Sequence, residues 1–412
     1  MSRIAFVWEL GASYGHISGL LPFARRLRQR GHDVVMVLRE LHNVSNIFGD
    51  EIPVLQAPLW LPPMQGLPEP PLNYSEILMR YGYFSADGLA GLVSAWRSLF
   101  ALLGSDVIVA DHSPTALLAA RSMGLAATTL GTGFYFPPRQ TPMPNMRPWL
   151  NVPPGRLEHS DALVLNNMNT VLAMHKARPM VSVSELFETC ENFLCTFAEL
   201  DHYAQREPAK YWGACWNMEM GQDTAWPDGE GKRVFVYLEP QSRDFAKVLE
   251  AIAVLGLRAI VCAPGISDDL RRKHENPRTI VSTKPFRLDR LLAECDLSIG
   301  YAGHGMTAGM LMAGVPLLLL PTQLERFLLA TRVAATGAGI AVNPEAPLPD
   351  YPALIRMMLD APGYRGNARL FAKKYAGFDQ RGQQENIVAR IEEIAIEEIA
   401  IEEIASRNQV KA

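Results

Sequence analysis

The 412-residue chain has little net charge, few cysteines and no long uninterrupted apolar run. A net charge of −4 gives no basic field for a nucleic-acid backbone. The five cysteines are odd in number and lack C-x-x-C or zinc-type spacing, which favours a reduced cytoplasmic protein over a disulfide framework. The opening run "RIAFVW" is too short for a signal peptide, and "GVPLLLLP" is too short for a transmembrane segment. No nucleic-acid partner, metal cluster or membrane span is therefore expected, and the oligomeric state stays open.

What the sequence does contain is a repeated alternation of strand-like and helix-like segments. Hydrophobic residues make up 48% of the chain and charged residues 20%, as in ordinary globular proteins, and the length exceeds that of a single core. Apolar runs such as "RIAFVWE" and "DVVMVL" flank a segment with helical periodicity, which predicts a βαβ unit. This periodicity disappears over residues 206–232 and restarts at "RVFVYLE".

Two such halves predict an α/β protein with two Rossmann-like, doubly wound parallel sheets facing a cleft. The predicted domains are residues 1–220 and 221–380, followed by a C-terminal helix and repetitive tail over 381–412. The last helix is expected to return to the N-terminal domain. The tail repeats "IEEIA" three times over 391–405, which replication slippage explains more simply than a functional module does.

One stretch of the C-terminal half predicts a strand, a glycine turn, a helix and a second strand. It covers residues 295–321, "CDLSIGYAGHGMTAGMLMAGVPLLLLP". At the carboxyl end of a parallel strand, such a turn lets backbone N–H groups approach an anion, and the helix N-terminus adds partial positive charge. Gly303 and Gly305 would expose the backbone, and Thr307 would donate a hydroxyl or cap the helix. On spacing alone, a phosphate cradle and a plain tight connection are equally open.

The wider context resembles a known family. The ordered pattern "D-L-x-I-x-x-x-G-H-G-x-T", continued to Gly339, resembles the nucleotide-sugar signature of UDP-glycosyltransferases. It is most similar to the bacterial macrolide-glycosyltransferase-type and YjiC-like branch of the GT-B superfamily. "GHISGLLPFARRLRQRGHDVVMV" and "SDVIVADHSPTALLAARSMGLAATTL" resemble the acceptor domain of the same family. The resemblance implies a GT-B architecture, with the acceptor bound mainly by residues 1–220 and the nucleotide sugar by 221–380.

The resemblance implies inverting transfer of a hexosyl group from a nucleoside diphosphate sugar, with UDP or dTDP as the nucleotide, to a hydroxyl of a small apolar acceptor. His16 matches the family's base, and Asp111 matches the carboxylate that orients it. Taken singly, His16 could be a helix-start residue and Asp111 an N-cap, and His112 is interpreted as a loop residue. No metal or other cofactor is expected, because helix dipoles can replace a divalent ion at the diphosphate.

The resemblance assigns six residues to the donor site: Gly303, His304, Gly305, Thr307, Glu325 and Arg326. Glu325 keeps the carboxylate that grips sugar hydroxyls in the family. Arg326 replaces a neutral amide, which could favour a charged sugar or simply form an ion pair. Tyr301 occupies a position where many members carry a diphosphate-binding His, and His304 could take over that contact. A partly exposed turn histidine is the equal alternative for His304.

Two further departures, Glu239 and Leu329, also weaken the family pattern. They keep a second class of function open, a catalytically silent GT-B homologue that acts as a binding or activating partner. A nucleotide-sugar 2-epimerase of the same architecture is a third candidate. In the proline-rich loops, Trp60, Phe136 and Trp149 could line an apolar acceptor pocket, with loop packing as the equal alternative.

Overall fold

The protein divides into two units, each built around one parallel sheet. The computed structural model describes residues 1–11, 15–42, 44, 49–204, 206, 209–218 and 221–409, with side chains described as far as residue 397. Unit 1 comprises Met1–Thr196, Gln205–Gly213 and Asp379–Ala412, and unit 2 comprises Phe197–Ala204 and Ala214–Phe378. The predicted boundary at residue 220 lies close to the passage from unit 1 to unit 2 after Gly213.

Unit 1 contains six parallel strands in the order β3-β2-β1-β4-β5-β6. Five consecutive residues are buried in each of β1, β2 and β4, because helices cover both faces of a parallel sheet. The strands are β1 (Arg3–Trp8), β2 (Asp33–Leu38), β3 (Val54–Gln56), β4 (Val107–Asp111), β5 (Ala126–Gly131) and β6 (Glu191–Leu194). The helices before residue 196 are α1 (Gly15–Gln29), α2 (Tyr74–Leu78), α3 (Ala86–Leu103), α4 (Pro114–Met123) and α5 (Arg156–Met174).

Unit 2 contains a second sheet of six parallel strands in the order β12-β11-β10-β7-β8-β9. The strands are β7 (Arg233–Tyr237), β8 (Arg258–Cys262), β9 (Thr279–Ser282), β10 (Leu297–Gly300), β11 (Leu317–Leu319) and β12 (Gly339–Ala341). The helices are α6 (Phe245–Val254), α7 (Asp268–His274), α8 (His304–Met312), α9 (Leu324–Ala335), α10 (Tyr351–Asp360) and α11 (Pro362–Lys374).

Both strand orders are the doubly wound order 3-2-1-4-5-6, so the predicted fold class is confirmed. The direction of strand succession reverses between β1 and β4 in unit 1 and between β7 and β10 in unit 2. In open α/β sheets, ligands bind outside the carboxyl ends of the strands at this switch point. Candidate ligand sites are therefore expected at two sheet edges. In unit 1 this edge follows Trp8 and Asp111, the ends of β1 and β4, and in unit 2 it follows Tyr237 and Gly300, the ends of β7 and β10.

The last helix, α12 (Gln380–Gln409), belongs to unit 1. The first copy of the "IEEIA" repeat buries Ile391 and Ile394, three residues apart on one helix face. Ile394 packs with Val107 and Ala126 of the sheet, whereas Ile396 is 63% exposed. The isoleucines three residues apart thus lie in the core, whereas the next one, two residues further on, is exposed to solvent.

Ion pairs also join α12 to the end of α1. The Glu385 carboxylate accepts hydrogen bonds from Arg26 and Arg30, at 2.9 Å and 2.6 Å. Glu392 pairs with Arg30 and lies 2.9 Å from Nε2 of His32. These ion pairs remain partly exposed to solvent, so most of the stabilisation is expected to come from the buried isoleucines.

Helix α3 is an exception to the expectation that no segment resembles a membrane span. Among the described helices, it is the one whose length and hydropathy would suffice to cross a bilayer. Core helices of soluble proteins satisfy the same criterion, and the Leu89, Val93, Trp96 and Phe100 side chains of α3 are buried in unit 1.

We expect Ile391→Ala to lower the free energy of unfolding by about 2–5 kcal/mol, because it removes a fully buried side chain and leaves a cavity. Ile396→Ala, at the start of the next copy of the repeat and exposed, should change it by less than about 0.5 kcal/mol. Denaturant unfolding of the two variants measures the difference. Equal effects would show that α12 does not stabilise unit 1 through its buried face.

Candidate active site

The switch point of unit 1 holds a buried imidazole–carboxylate pair. His16 lies at the start of α1 and Asp111 is the last residue of β4. Trp8 and Asp111 are register partners, so the turn after β1 and the end of β4 meet at one edge of the sheet. Nδ1 of His16 lies 2.9 Å from Oδ2 of Asp111, and each side chain is only 6% exposed. The tertiary structure thus brings together the two residues that the sequence assigned to one pair.

Neighbouring groups hold the His16 ring in place. The Trp8 ring stacks on it, with centroids 4.9 Å apart and an interplanar angle of 19°. When Nδ1–H donates to the Asp111 carboxylate, Nε2 is the nitrogen that can accept a proton. A β-carbon at Gly11, where φ is +86°, would lie 2.7 Å from this Nε2. Glycine is therefore required next to the candidate base.

A second histidine, His112, is buried beside the pair. Its ring stacks on Tyr135 with centroids 4.4 Å apart, and its centroid lies 6.1 Å from that of His16. The residue adopts φ +46°, a left-handed conformation that is uncommon for a residue other than glycine. Burial lowers the pKa of His112 well below 6.5, and the charges of His16 and Arg39 act in the same direction. His112 is thus an uncharged side chain that lines the site. Its interpretation as a loop residue did not include this role.

Glu9 is a second residue of this site that the sequence analysis did not identify. A charged residue directly after a buried strand could have indicated it. Its carboxylate is buried and accepts a hydrogen bond from the Thr115 N–H, at 2.9 Å, in the first turn of α4. Its backbone carbonyl accepts one from Nη1 of Arg39. Glu9 thereby ties the end of β1 to the first turn of α4, the helix that follows Asp111. Burial raises the pKa of Glu9 to about 7, against the lowering effect of the Thr115 hydrogen bonds.

The three aromatic residues proposed for the acceptor occupy different environments in unit 1. Trp60 packs against glycines: β-carbons at Gly82 and Gly88 would lie 3.0 Å and 2.8 Å from its ring. Phe136 is buried in the core, and its carbonyl accepts a hydrogen bond from Arg206. Trp149 is exposed. Trp60 and Phe136 therefore make packing contacts, and an acceptor role for the three residues stays a prediction.

The glycine turn lies at the switch point of unit 2. Gly303 immediately precedes α8, and the N–H of Thr307 donates to the Gly303 carbonyl at 2.9 Å. Thr307 is buried, while a β-carbon at Gly305 would lie 3.0 Å from the Cys215 carbonyl oxygen. Gly305 therefore permits close packing inside the unit. A cavity of about 10 Å³, the space of one water molecule, is lined by residues that include Tyr237, Gly303 and Thr307.

Two other predicted donor residues, His304 and Glu325, lie near His202. The His304 and His202 ring centroids are 6.3 Å apart, and Oε1 of Glu325 lies 4.0 Å from Nε2 of His202. Desolvation lowers the pKa of His304 to about 4, although Asp201 opposes the shift. At neutral pH, His304 is thus an uncharged ring at the first turn of α8.

Three of the departures from the family pattern form one cluster. The Arg326 guanidinium carbon lies 4.2 Å from the centroid of the Tyr301 ring, and Nη1 lies 3.5 Å from Oε1 of Glu239. Nη1 also donates to the Thr322 hydroxyl at 3.3 Å. The fourth departure, Leu329, is buried in the core of unit 2. Arg326 therefore does form an ion pair, and it adds a cation–π contact.

No group of three or more His, Cys, Asp or Glu side chains is placed to hold a metal ion within the described part of the chain.

Comparison with known proteins identifies the fold. Residues 247–394 match the family described as "Erythromycin biosynthesis protein CIII-like, C-terminal domain". The structure of the spinosyn rhamnosyltransferase SpnG superposes with a TM-score of 0.67 at 15% identity, over 95% of this chain and 100% of that chain. The chain has the GT-B fold. No sequence among the curated proteins matches it.

Two further glycosyltransferase structures share this fold. The glycotransferase of kitacinnamycin has a TM-score of 0.68 at 17% identity, over 95% of this chain and 99% of that chain. SnogD from Streptomyces nogalater has a TM-score of 0.61 at 18% identity, over 96% and 99%. The EryCIII-like segment contains the glycine turn and Arg326, whereas His16 and Asp111 lie outside it.

We expect Glu9→Gln to become more stable relative to the wild type as the pH rises. A carboxyl with a pKa of about 7 when folded and about 4.5 when unfolded binds more protons in the folded state between these values. The contribution of Glu9 to wild-type stability should therefore fall from pH 4.5 through pH 7, and the gap to the variant should grow by up to about 3 kcal/mol. Denaturant unfolding at pH 5 and pH 8 measures this gap.

Glu51→Gln, at an exposed ion pair with Arg25, is the matched control and should show no such growth. Parallel pH profiles for Glu9→Gln and the wild type would contradict the assignment of a buried, protonated Glu9.

Proposed function

We propose that the chain is an inverting glycosyltransferase. It transfers a hexosyl group from a UDP- or dTDP-sugar to a hydroxyl of a small, apolar acceptor. The observation that carries the proposal is the buried His16–Asp111 pair at the switch point of unit 1. Two of the similar structures are described as complexes with thymidine diphosphate and one as a complex with spinosyn aglycone, which supports a thymidine nucleotide and an apolar acceptor.

In this reaction, Nε2 of His16 takes the proton of the acceptor hydroxyl. The Asp111 carboxylate stabilises the imidazolium that forms and keeps the ring in the required tautomer. The acceptor oxygen attacks the anomeric carbon from the face opposite the diphosphate, which leaves with the electron pair of the broken bond. Because His112 is neutral, it does not repel the positive charge that develops on His16.

We place the donor at the switch point of unit 2, near Gly303, Glu325 and Arg326. The N-terminus of α8 supplies partial positive charge there, so the proposal includes no metal and no other cofactor. Glu325 would accept hydrogen bonds from sugar hydroxyls. We place the reaction in the cytoplasm, since Cys190, Cys262 and Cys295 are thiols.

A catalytically silent binding partner is the second candidate. The Glu239 carboxylate favours it, because an anion at the switch point of unit 2 opposes a diphosphate. Measurement of donor turnover separates the two candidates, because an enzyme consumes the nucleotide sugar and a catalytically silent partner does not.

We expect His16→Ala to lower transfer by about 10²- to 10⁴-fold, because it removes the general base, while leaving nucleotide binding unchanged. The measurement is nucleotide release from a panel of UDP- and dTDP-sugars in the presence of apolar hydroxyl acceptors. Asp111→Asn keeps the shape of the side chain and should also lower the rate, because it cannot stabilise the imidazolium.

His159→Ala, at an exposed position of α5, is the control and should retain wild-type turnover. If the wild type turns over no donor, or if His16→Ala matches the wild type, the enzyme proposal is wrong.

Nucleotide binding provides an independent prediction. Calorimetry should detect binding of thymidine diphosphate or uridine diphosphate to the wild type, and His16→Ala should bind the same nucleotide with the same affinity. Binding of neither nucleotide would exclude the proposed donor.

A further inference from the structure

Glu239, Tyr301 and Arg326 form what we call the switch-point cluster, and its position is the first argument for a ligand. Tyr301 directly follows β10, and Glu239 lies two residues beyond the end of β7. β7 and β10 are the neighbouring strands between which the order of the sheet reverses. The cluster therefore occupies the edge at which an open α/β sheet binds its ligand.

The second argument is the state of the Arg326 side chain. It is only 12% exposed and lies over the face of the Tyr301 ring, so the cation is largely removed from water. A guanidinium presents five N–H donors in a planar fork that suits bidentate binding of phosphate oxygens. The Tyr301 ring in turn approaches Gly303, where a β-carbon would lie 3.1 Å from it. Arg326 is thus linked by direct contacts to the turn that begins α8.

The third argument is that the counterion of Arg326 is weakly held. Nη1 lies 3.5 Å from Oε1 of Glu239, whereas charge-assisted hydrogen bonds to a carboxylate are about 2.7–2.9 Å long. The Glu239 side chain is 51% exposed, so it can turn into water at little cost. A diphosphate offers more negative charge and more acceptor oxygens than this one carboxylate.

We propose that Arg326 is the cation that binds the diphosphate of the donor, and that Glu239 is a resident counterion which the diphosphate displaces. The inference rests on the proposed function. It assigns Arg326 to the diphosphate rather than to a charged sugar. Glu239, Tyr301 and Arg326, which each depart from the family pattern, then belong to one binding site. His304, uncharged at neutral pH, does not supply this charge.

Calorimetric titration with thymidine diphosphate and with thymidine tests the proposal. Arg326→Gln should weaken binding of thymidine diphosphate by about ten- to a hundredfold, the range for lost hydrogen bonds to a charged group, and leave thymidine binding unchanged. Arg326→Lys keeps the charge without the planar fork and should fall between Arg326→Gln and the wild type. Arg332→Gln, on the same helix α9, is the matched control and should bind like the wild type.

Glu239→Gln provides a test that does not depend on Arg326 variants folding normally. Removing the competing carboxylate should tighten binding of thymidine diphosphate by about threefold to tenfold. Unchanged or weaker binding by this variant would overturn the displacement, and wild-type affinity in Arg326→Gln would overturn the role of Arg326. In both cases the wild type still binds the nucleotide and the proposed function stands. Failure of the wild type to bind thymidine or uridine diphosphate would instead refute the proposed function itself.

Discussion

Parallel strand pairing is the constraint on which both candidate sites depend. A parallel sheet needs a crossover between successive strands, and helices then cover both faces and leave the carboxyl ends as the accessible edge. Where the order of strands reverses, adjacent connections diverge to opposite faces and leave a crevice. In this chain the crevice of unit 1 receives Asp111 from β4 and His16 from the start of α1, while that of unit 2 receives the glycine turn. The same geometry thus places an imidazole–carboxylate pair at the edge of one sheet and a glycine turn at the edge of the other.

Desolvation then decides which groups carry charge at these edges. His112 and His304 both lie close to the proposed chemistry, and burial or enclosure keeps each neutral. Glu9, buried directly after β1, has a pKa raised to about 7 for the same reason. In the proposed reaction, the positive charge in unit 1 develops on His16, where the neighbouring Asp111 carboxylate stabilises it. In unit 2 the cation of the switch-point cluster is Arg326, which cannot lose its proton.

The departures from the family pattern acquire a different meaning when their side chains are seen together. Position by position, Tyr301, Arg326 and Glu239 each suggest a lost contact. In the folded chain the Arg326 guanidinium lies over the face of the Tyr301 ring and pairs with the Glu239 carboxylate. The three residues therefore contact one another as a single group. Leu329 differs from these three, since its side chain is part of the hydrophobic core.

The sequence by itself determined the fold class, because buried strands, helical periodicity and glycine punctuation are local properties of the chain. It also predicted the His16–Asp111 pair, because both residues match positions of the glycosyltransferase pattern that the sequence resembles, and the parallel pairing of β1 with β4 brings these positions to one edge of the sheet. Only the tertiary structure decided how residues distant in sequence combine. The burial of His112, the tie between Glu9 and α4, the packing of Gly305 against Cys215 and the Glu239–Arg326 contact all join separate segments. Protonation states and ion pairs depend on such three-dimensional neighbours and on the water that they exclude, and neither is encoded in any short stretch of sequence.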